Sequence, residues 1–582
     1  RMGVVKDHQV KIVDAGAWSI VRHNEAILEP TNKLYTVEQK AYLDATIYAQ
    51  SDYVFDTYGN ATQMKGPENN TGQRETIDVT YDNVVHSYPT KVENVFGDYT
   101  QTTYDFATGQ VLTSEDLNGN QITYTYDDFF RVEKILGPNE DNGNSDDFTI
   151  RYQYFPEGRN SKSSNWKDKV PVAVTFHYQD QGDASNPYYV GTVSDDVVAN
   201  PGTKEFTQSG STWTPVSETN MNHLMTATFT DGTGNAVQVK KDISVWNGSH
   251  QEEKRQVSGA AKLNARGLVD SQYLSTMEDM NLPILQFNDA ISPVNPTTTT
   301  YDYLSRPTAV NSPDAAGTGS YTATVAYNWE TKGGDDYFVT TSTDPDGRTS
   351  KGYVDARGQQ RFTVSDPSGE NVETEFFYDV LGQVTSTQSV DGETTSFTYD
   401  NLGRMTKEVH PDRGTTTTSY DLLGHVVSTT NANGHTVNYT YNYSRLTNIN
   451  YPTSGSLNDM SYTYGARADG INGAGRVTEI TQGSATTPVL VEQMNYDDLG
   501  NVAVHTRAID IPNVGLQSFT SKTQYDSWGR ILKMTYPDGE QVRYFHSYGG
   551  DLFRINGYDL GNSVLTAPSQ VYVAQLGYDQ YG

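Results

Sequence analysis

The chain has 582 residues, with 72 Asp plus Glu against 41 Lys plus Arg and a net charge of −31. It contains no cysteine, which excludes disulfides, thiolate metal sites and a cysteine nucleophile. It also has no basic run to track a phosphate backbone, so no nucleic acid is expected as a partner, and no 18-residue apolar run that would span a membrane.

Charged residues are only 19%, beside 50 Gly and 41 Tyr. Tyr and Thr suit strands, and Gly, Asn and Asp suit turns, so composition alone predicts an all-β fold. Length by itself suggests about four domains. Internal repeats override that count, because stacked repeats share one continuous structure.

Residues 1–52 read as a non-repeat lead-in with no signal-peptide pattern at the start. Thr36–Gln50 fits either a short helix or a pair of strands. Residues 53–296 read as divergent repeats with insertions. Phe55-Asp56 with Gly59, Tyr104-Asp105 with Gly109, and Tyr126-Asp127 with Arg131 are early variants of one phrase. Asn139–Asp147 is an acidic loop, and Lys162–Pro171 and Asn200–Pro215 read as long loops or insertions on hairpins. Gln272–Asn281 is a candidate short helix.

From 297 to 582 the phrase dominates. Tyr378-Asp379 with Gly382, Tyr399-Asp400 with Gly403-Arg404, Tyr420-Asp421 with Gly424, and a degenerate copy at Tyr441 follow one another at steps of 21 residues. Tyr496-Asp497 with Gly500 and Tyr525-Asp526 with Gly529-Arg530 continue the set. Each copy carries two turn signals. Asp-x-x-Gly is the first, and its Gly supplies a positive φ. The second is Asp-Gly or Asn-Gly, as at Asp391-Gly392, Asn433-Gly434 and Asp538-Gly539, which predicts type I′ hairpins. Between them polarity alternates with period two: Val437, Tyr439 and Tyr441 share one face, as do Ile122, Tyr124 and Tyr126. One repeat is therefore one β-hairpin, and the Tyr before each turn is expected to stack on its counterpart in the next repeat. A ribbon on the order of 200 to 260 Å long follows at about 4.8 Å per strand. Open sheets rarely exceed about 10 strands without curling, so the ribbon must coil.

The phrase as it stands at Tyr399–Gly414 and Tyr525–Glu540 resembles the Rhs or YD-repeat family. Residues 53–296, with their insertions, look like the Rhs-containing part of toxin-complex B components. The resemblance implies a spiral β-sheet that curls into a partial hollow shell. In bacterial toxins such a shell sequesters a cytotoxic polypeptide, and in teneurins it serves adhesion. It implies secretion or a cell-surface location, with the enclosed toxin polypeptide and other parts of the toxin complex as partners. The family's self-cleavage motif has no match here, and Asp344–Gly352 reads as a repeat turn. The preceding propeller domain also has no match. The closing residues Leu576–Gly582 open another repeat, which leads us to expect a longer polypeptide.

No His-Glu-x-x-His, nucleophile elbow or phosphate loop is found. His410, His425 and His435 read as turn residues, and the acidic loops as solvated surface rather than Ca²⁺ sites. The expectation is a non-enzymatic structural protein without cofactor. The alternatives are an adhesion or carbohydrate-binding repeat protein and a β-helical polysaccharide-active enzyme.

Overall fold

The computed structural model describes residues 6–14, 17–30, 35–138, 148–178, 206–209, 212–215, 223–292, 294–314, 319–452, 457–547, 549–558 and 570–578. Its strands form a 17-stranded sheet, a 25-stranded sheet and one separate hairpin, Phe206–Ser209 with Thr212–Pro215. All strand pairings are antiparallel, and nearly every strand pairs with its neighbours in sequence, as in Thr394–Tyr399 with Met405–His410 and then Gly414–Tyr420. The chain passes between the sheets near residue 260. Gln251–Ser258 ends against Thr276–Asp279 in the first sheet, while Ala261–Leu263 and Val269–Gln272 begin the second.

Two sequence expectations are settled here. Thr36–Gln50 resolves as strands, Thr36–Tyr42 pairing with Tyr48–Phe55. Gln272–Asn281 is not a helix. Its residues join Val269–Gln272 and Thr276–Asp279, because Met277 and Glu278 pair with Gln256 and Arg255. Tertiary pairing outweighs the modest helix propensity of the segment.

The two turn signals turn out to share one geometry. At the first, Asp400 N–H donates to Arg404 O and Gly403 N–H to Asp400 O. At the second, Ser389 N–H donates to Glu393 O and Gly392 N–H to Ser389 O. Gly403 has φ +87 and Gly392 φ +84, while Asp391 has no positive φ. Type I′ would need positive φ at two consecutive residues. These are instead three-residue loops whose last residue is a left-handed Gly, which forms a bulge.

The Tyr residues also behave differently from expectation. Tyr378, Tyr399 and Tyr420 end neighbouring up-running strands and Tyr441 stands one residue before the end of the next, and the pairing register slips at each of them. The same slip occurs at Tyr496 and Tyr525. No ring pair joins these Tyr among the described residues. Successive copies lie two strands apart, about 9.6 Å, beyond the 4.5–7 Å range of ring contact. Each hydroxyl instead reaches back across the sheet to a carbonyl: Tyr378 to Gln360 (2.7 Å), Tyr399 to Val384 (2.9 Å), Tyr420 to Met405 (2.8 Å) and Tyr441 to Val426 (3.0 Å). The Tyr thus pins the bulge to the preceding hairpin.

The wall is one sheet thick over most of its course. In a β-sandwich, alternate strand residues would be buried. In Thr394–Tyr399, Met405–His410 and Gly414–Tyr420 none is. Two patches are thicker. One packs Tyr337, Val339, Tyr353, Phe362 and Val364. The other lays Ile284, Leu285 and Phe287 over Val172, Val174, Phe176, Met225, Ala227 and Phe229. The same covered face continues as a polar row. Lys240 binds Glu278 at 2.7 Å and Arg255 faces Asp242 at 3.4 Å, all four buried. Among the described residues no helix is long and apolar enough to cross a membrane.

Candidate functional site

The Asp-x-x-Gly turns lie on one edge of the ribbon and the alternate turns on the other, because the strands run up and down. Within each Asp-x-x-Gly turn the Asp side chain holds the loop closed. Asp400 Oδ1 accepts from Leu402 N–H (3.0 Å) and Arg404 N–H (2.9 Å), and its Oδ2 takes the Arg404 guanidinium. Asp526 repeats this with Trp528, Arg530 and the Arg530 guanidinium. Asp379, Asp421 and Asp497 cap their own loops in the same way, with Gly382, Gly424 and Gly500 at positive φ. Gly529 completes the Asp526 turn with φ +73. In the first sheet the Thr233 and Asn235 side chains, with their backbone N–H groups, hold the Asp231 carboxyl at about 2.

These turns do a second job in the second sheet: they touch the first. Asn401 Nδ2 donates to Leu43 O at 2.8 Å. Asn69 Nδ2 donates to Tyr443 O at 3.2 Å, and Tyr443 N–H donates to Gln73 Oε1 at 2.8 Å. Ala474 N–H donates to Asn118 Oδ1 at 2.7 Å, and the Trp528 indole N–H to Tyr178 O at 3.1 Å. The separations along the chain are 358, 374, 370, 356 and 350 residues. A near-constant offset over 135 residues of first-sheet sequence (Leu43 to Tyr178) defines a spiral, with about 350 to 370 residues per coil.

Two arginines bear the most contacts along this seam. Arg445 pairs with the buried Asp98 at 2.7 Å and lies 3.6 Å over the Phe96 ring. Arg467 donates to the carbonyls of Tyr99, Asp116 and Leu117, pairs with Glu115, and stacks 3.8 Å over Tyr99. Further along, His177 stacks on Trp528 at 4.2 Å. Burial pushes the His177 imidazole down to about 4; Arg530 adds to this and Asp526 opposes it. Sequence reading found the turn residues but not Arg445, Arg467 or His177, whose seam contacts are with residues about 350 positions away.

A cleft of about 740 Å³ lies lower in the second sheet, lined by Phe519, Tyr536, Pro537, Val542, Tyr544, Ile555 and Tyr572, with Asp538 and Glu540. The three histidines do not converge. His425 stacks on Tyr441 at 4.4 Å beside Asp421, on the seam edge. His410 and His435 sit in turns of the opposite edge, where the His410 ring accepts from Asp412 and Arg413 N–H. Asp344 and Asp346 face Arg348, in a turn closed by Gly347 at φ +82. Among the described residues no group of three His, Asp or Glu is arranged to hold a metal. Asn139–Asp147 lies outside the described residues.

Residues 378–415, which span two of the faithful copies, match the family model of the RHS repeat. That stretch of the chain carries an RHS repeat. No curated protein matches it. Among solved structures, TcdB2-TccC3 superposes with TM-score 0.72 at 14% identity, over 98% of this chain and 31% of that one. The Photorhabdus luminescens Tc holotoxin pore superposes with TM-score 0.71 at 13% identity, over 98% and 33%. TcdB2-TccC3 without its hypervariable C-terminal region gives TM-score 0.72 at 12% identity, over 98% and 33%. The chain therefore shares the all-β fold of these structures and spans about a third of the length of the chains it matches.

Proposed function

We propose that this chain is a wall segment of a hollow shell in a secreted toxin complex, and that the shell sequesters a toxic polypeptide. The role is structural, with no catalytic step. One observation carries the reading: the ribbon is a single layer that returns to stack on itself every 350 residues or so, edge on edge. Close strand contacts join hydrogen-bonded neighbours rather than opposite walls. About two dozen strands make one coil, so at about 4.8 Å each the circumference is about 120 Å and the diameter about 38 Å. Subtracting about 10 Å for side chains leaves a lumen of about 28 Å, wide enough for an unfolded chain or small helices. The superposition on TcdB2-TccC3 supports placing such a lumen in a toxin assembly.

Cryo-microscopy class averages of the isolated chain should show a low-density channel of that width, and a filled cross-section would refute the shell. Sequestration is tested separately, by protease protection of a passenger polypeptide fused to the chain. Digestion at the rate of free passenger would refute it. One observation favours a second reading, carbohydrate binding: the aromatic cleft at Tyr536, Tyr544 and Tyr572 with Asp538 and Glu540 beside it. Glycan-array binding lost on Tyr536→Ala would establish that reading.

A further inference from the structure

The aromatic cleft in the second sheet is built across five successive strands, from Phe519 on one side to Tyr572 on the other. Its floor is a face of the sheet, not an edge. Val542 pairs with Gly557 and Tyr544 with Ile555, so these four stand on one side of the wall. Gly557 shapes the site. A Cβ there would lie 2.8 Å from both Glu540 Oε1 and Tyr572 Cε2, so its missing side chain lets the carboxylate and the ring meet over the floor. The Tyr572 hydroxyl donates to Glu540 Oε1, and the Tyr544 hydroxyl reaches Met534 Sδ at 3.4 Å. Around the opening Phe519, Tyr536 and Tyr572 remain 43%, 39% and 47% exposed, so their rings are open to a ligand.

The cleft is also negative. Asp538 accepts from Glu540 N–H and Glu540 from the Tyr572 hydroxyl, and among the described residues neither carboxylate has a Lys, Arg or His partner. Arg507, which stands opposite Phe519 in the strand pairing, is taken by Glu492 at 3.1 Å. The Tyr572 phenol registers that charge. Its pKa is held above the usual value, first by the hydrogen bond to Glu540, then by desolvation and by Glu540, Tyr536 and Asp538 nearby. Aromatic faces attract an ammonium group within about 6 Å, and a carboxylate gives it a charge-assisted hydrogen bond. The volume of about 740 Å³ lies in the range of small-molecule sites and exceeds what one ammonium-bearing side chain fills. We propose that this cleft binds an amino sugar with a free ammonium group, its pyranose ring against Tyr536 and Tyr572 and its ammonium on Glu540 and Asp538. A neutral sugar would use the rings alone, and an acidic one would be repelled by the two carboxylates. The inference rests on the carbohydrate reading of the cleft and narrows it to one ligand class. The shell reading does not depend on it.

Titration calorimetry of the full chain with three probes tests it: a β-1,4-linked glucosamine oligomer, the same oligomer fully N-acetylated, and an oligolysine of similar length. The pH is set where the sugar amine is protonated. The glucosamine oligomer should bind about tenfold or more tighter than the N-acetylated one, as expected for hydrogen bonds to charged groups. That preference should shrink as salt is raised. Glu540→Gln and Asp538→Asn should each reduce the preference and leave binding of the N-acetylated oligomer unchanged. Tyr536→Ala should weaken both sugars alike, since it removes a stacking face. Circular dichroism melts matching wild type show that these surface changes leave the fold intact. Equal binding of the two sugars would overturn the amino-sugar inference and leave the carbohydrate reading standing. Binding of neither sugar would overturn both. Oligolysine that displaces the glucosamine oligomer at equal concentration would also overturn the inference, because the rings would then select no sugar.

Discussion

His177 should make the seam sensitive to acid. Its ring is wedged on Trp528 at 4.2 Å, with Nε2 lacking a hydrogen-bond partner among the described residues, and burial depresses its pKa from 6.5 to about 4. The unfolded or opened state therefore binds more protons than the closed state between those two values. Stability of this contact is fully present above pH 6.5 and falls as pH drops from 6.5 toward 4. A displacement of about 2.5 pKa units corresponds to about 3.4 kcal/mol at about 1.36 kcal/mol per unit. The ring is only partly buried, so screening reduces that to on the order of 1 to 2 kcal/mol. Asp526 and Arg530 both face the ring with opposite effects, which keeps the titration close to that of burial alone. The assay is hydrogen exchange by mass spectrometry on peptides covering 525–531, from pH 7 to pH 4.5, corrected for intrinsic rates. The opening free energy there should fall by the stated amount, while peptides covering 399–404 stay constant. His177→Phe keeps a stacking ring and removes the titration, so its profile should be flat over that window. The same acid response in His177→Phe would refute the reasoning.

Arg467→Ala removes three carbonyl contacts, the Glu115 pair and the stack on Tyr99, and should destabilise the seam by about 3 kcal/mol; limited proteolysis near Glu115 should accelerate accordingly. Lys240→Met strands the Glu278 carboxylate in a buried site and should cost about 3 to 5 kcal/mol in chemical denaturation, with Lys240→Met/Glu278→Leu recovering much of the loss. Tyr420→Phe deletes the hydroxyl bond to Met405 O and should cost about 0.5 to 1.5 kcal/mol, and ring-stacking partners elsewhere should be unaffected. Asp231, held at about 2, stabilises its turn above the unfolded value near 3.8 and loses that contribution as pH falls from 3.8 toward 2. Amide exchange at Thr233 and Asn235 in acid should report this, and Asp231→Asn should remove the dependence.

The turns were legible in sequence because their chemistry is local. Asp400, Gly403 and Arg404 lie within five residues and satisfy one another. The error at Asp391-Gly392 came from reading a dipeptide without its loop length. Three loop residues between Ser389 and Glu393 require one left-handed Gly, not two positive φ values. The error over Tyr378, Tyr399, Tyr420 and Tyr441 came from equating a shared face with contact. Their 21-residue spacing puts a down-running strand between each pair, so the rings are out of reach and the hydroxyls find backbone instead. Arg445, Arg467 and His177 carried no signal, because the coil offset that gives them partners is a property of the whole ribbon's curvature.

That curvature explains why so uniform a motif has unequal effects along the chain. Each Asp-x-x-Gly turn closes its own hairpin wherever it stands, and the Tyr before it pins that hairpin to the preceding one. Neither interaction reaches beyond nearest neighbours, as in other solenoids, so neither sets the pitch. The pitch is set where residues that depart from the motif make contacts a coil away: Arg445 with Asp98 in a degenerate copy, Arg467 in the irregular 465–476 segment, and Trp528 where other copies have Leu. The regular positions therefore build the wall, and the irregular ones decide how it stacks. Moving Arg467 by one repeat, with Arg467→Ala and Arg445 intact, would leave the hairpins hydrogen-bonded and loosen only the seam. A variant that instead melted the 460–496 strands would show that wall and seam are one cooperative unit.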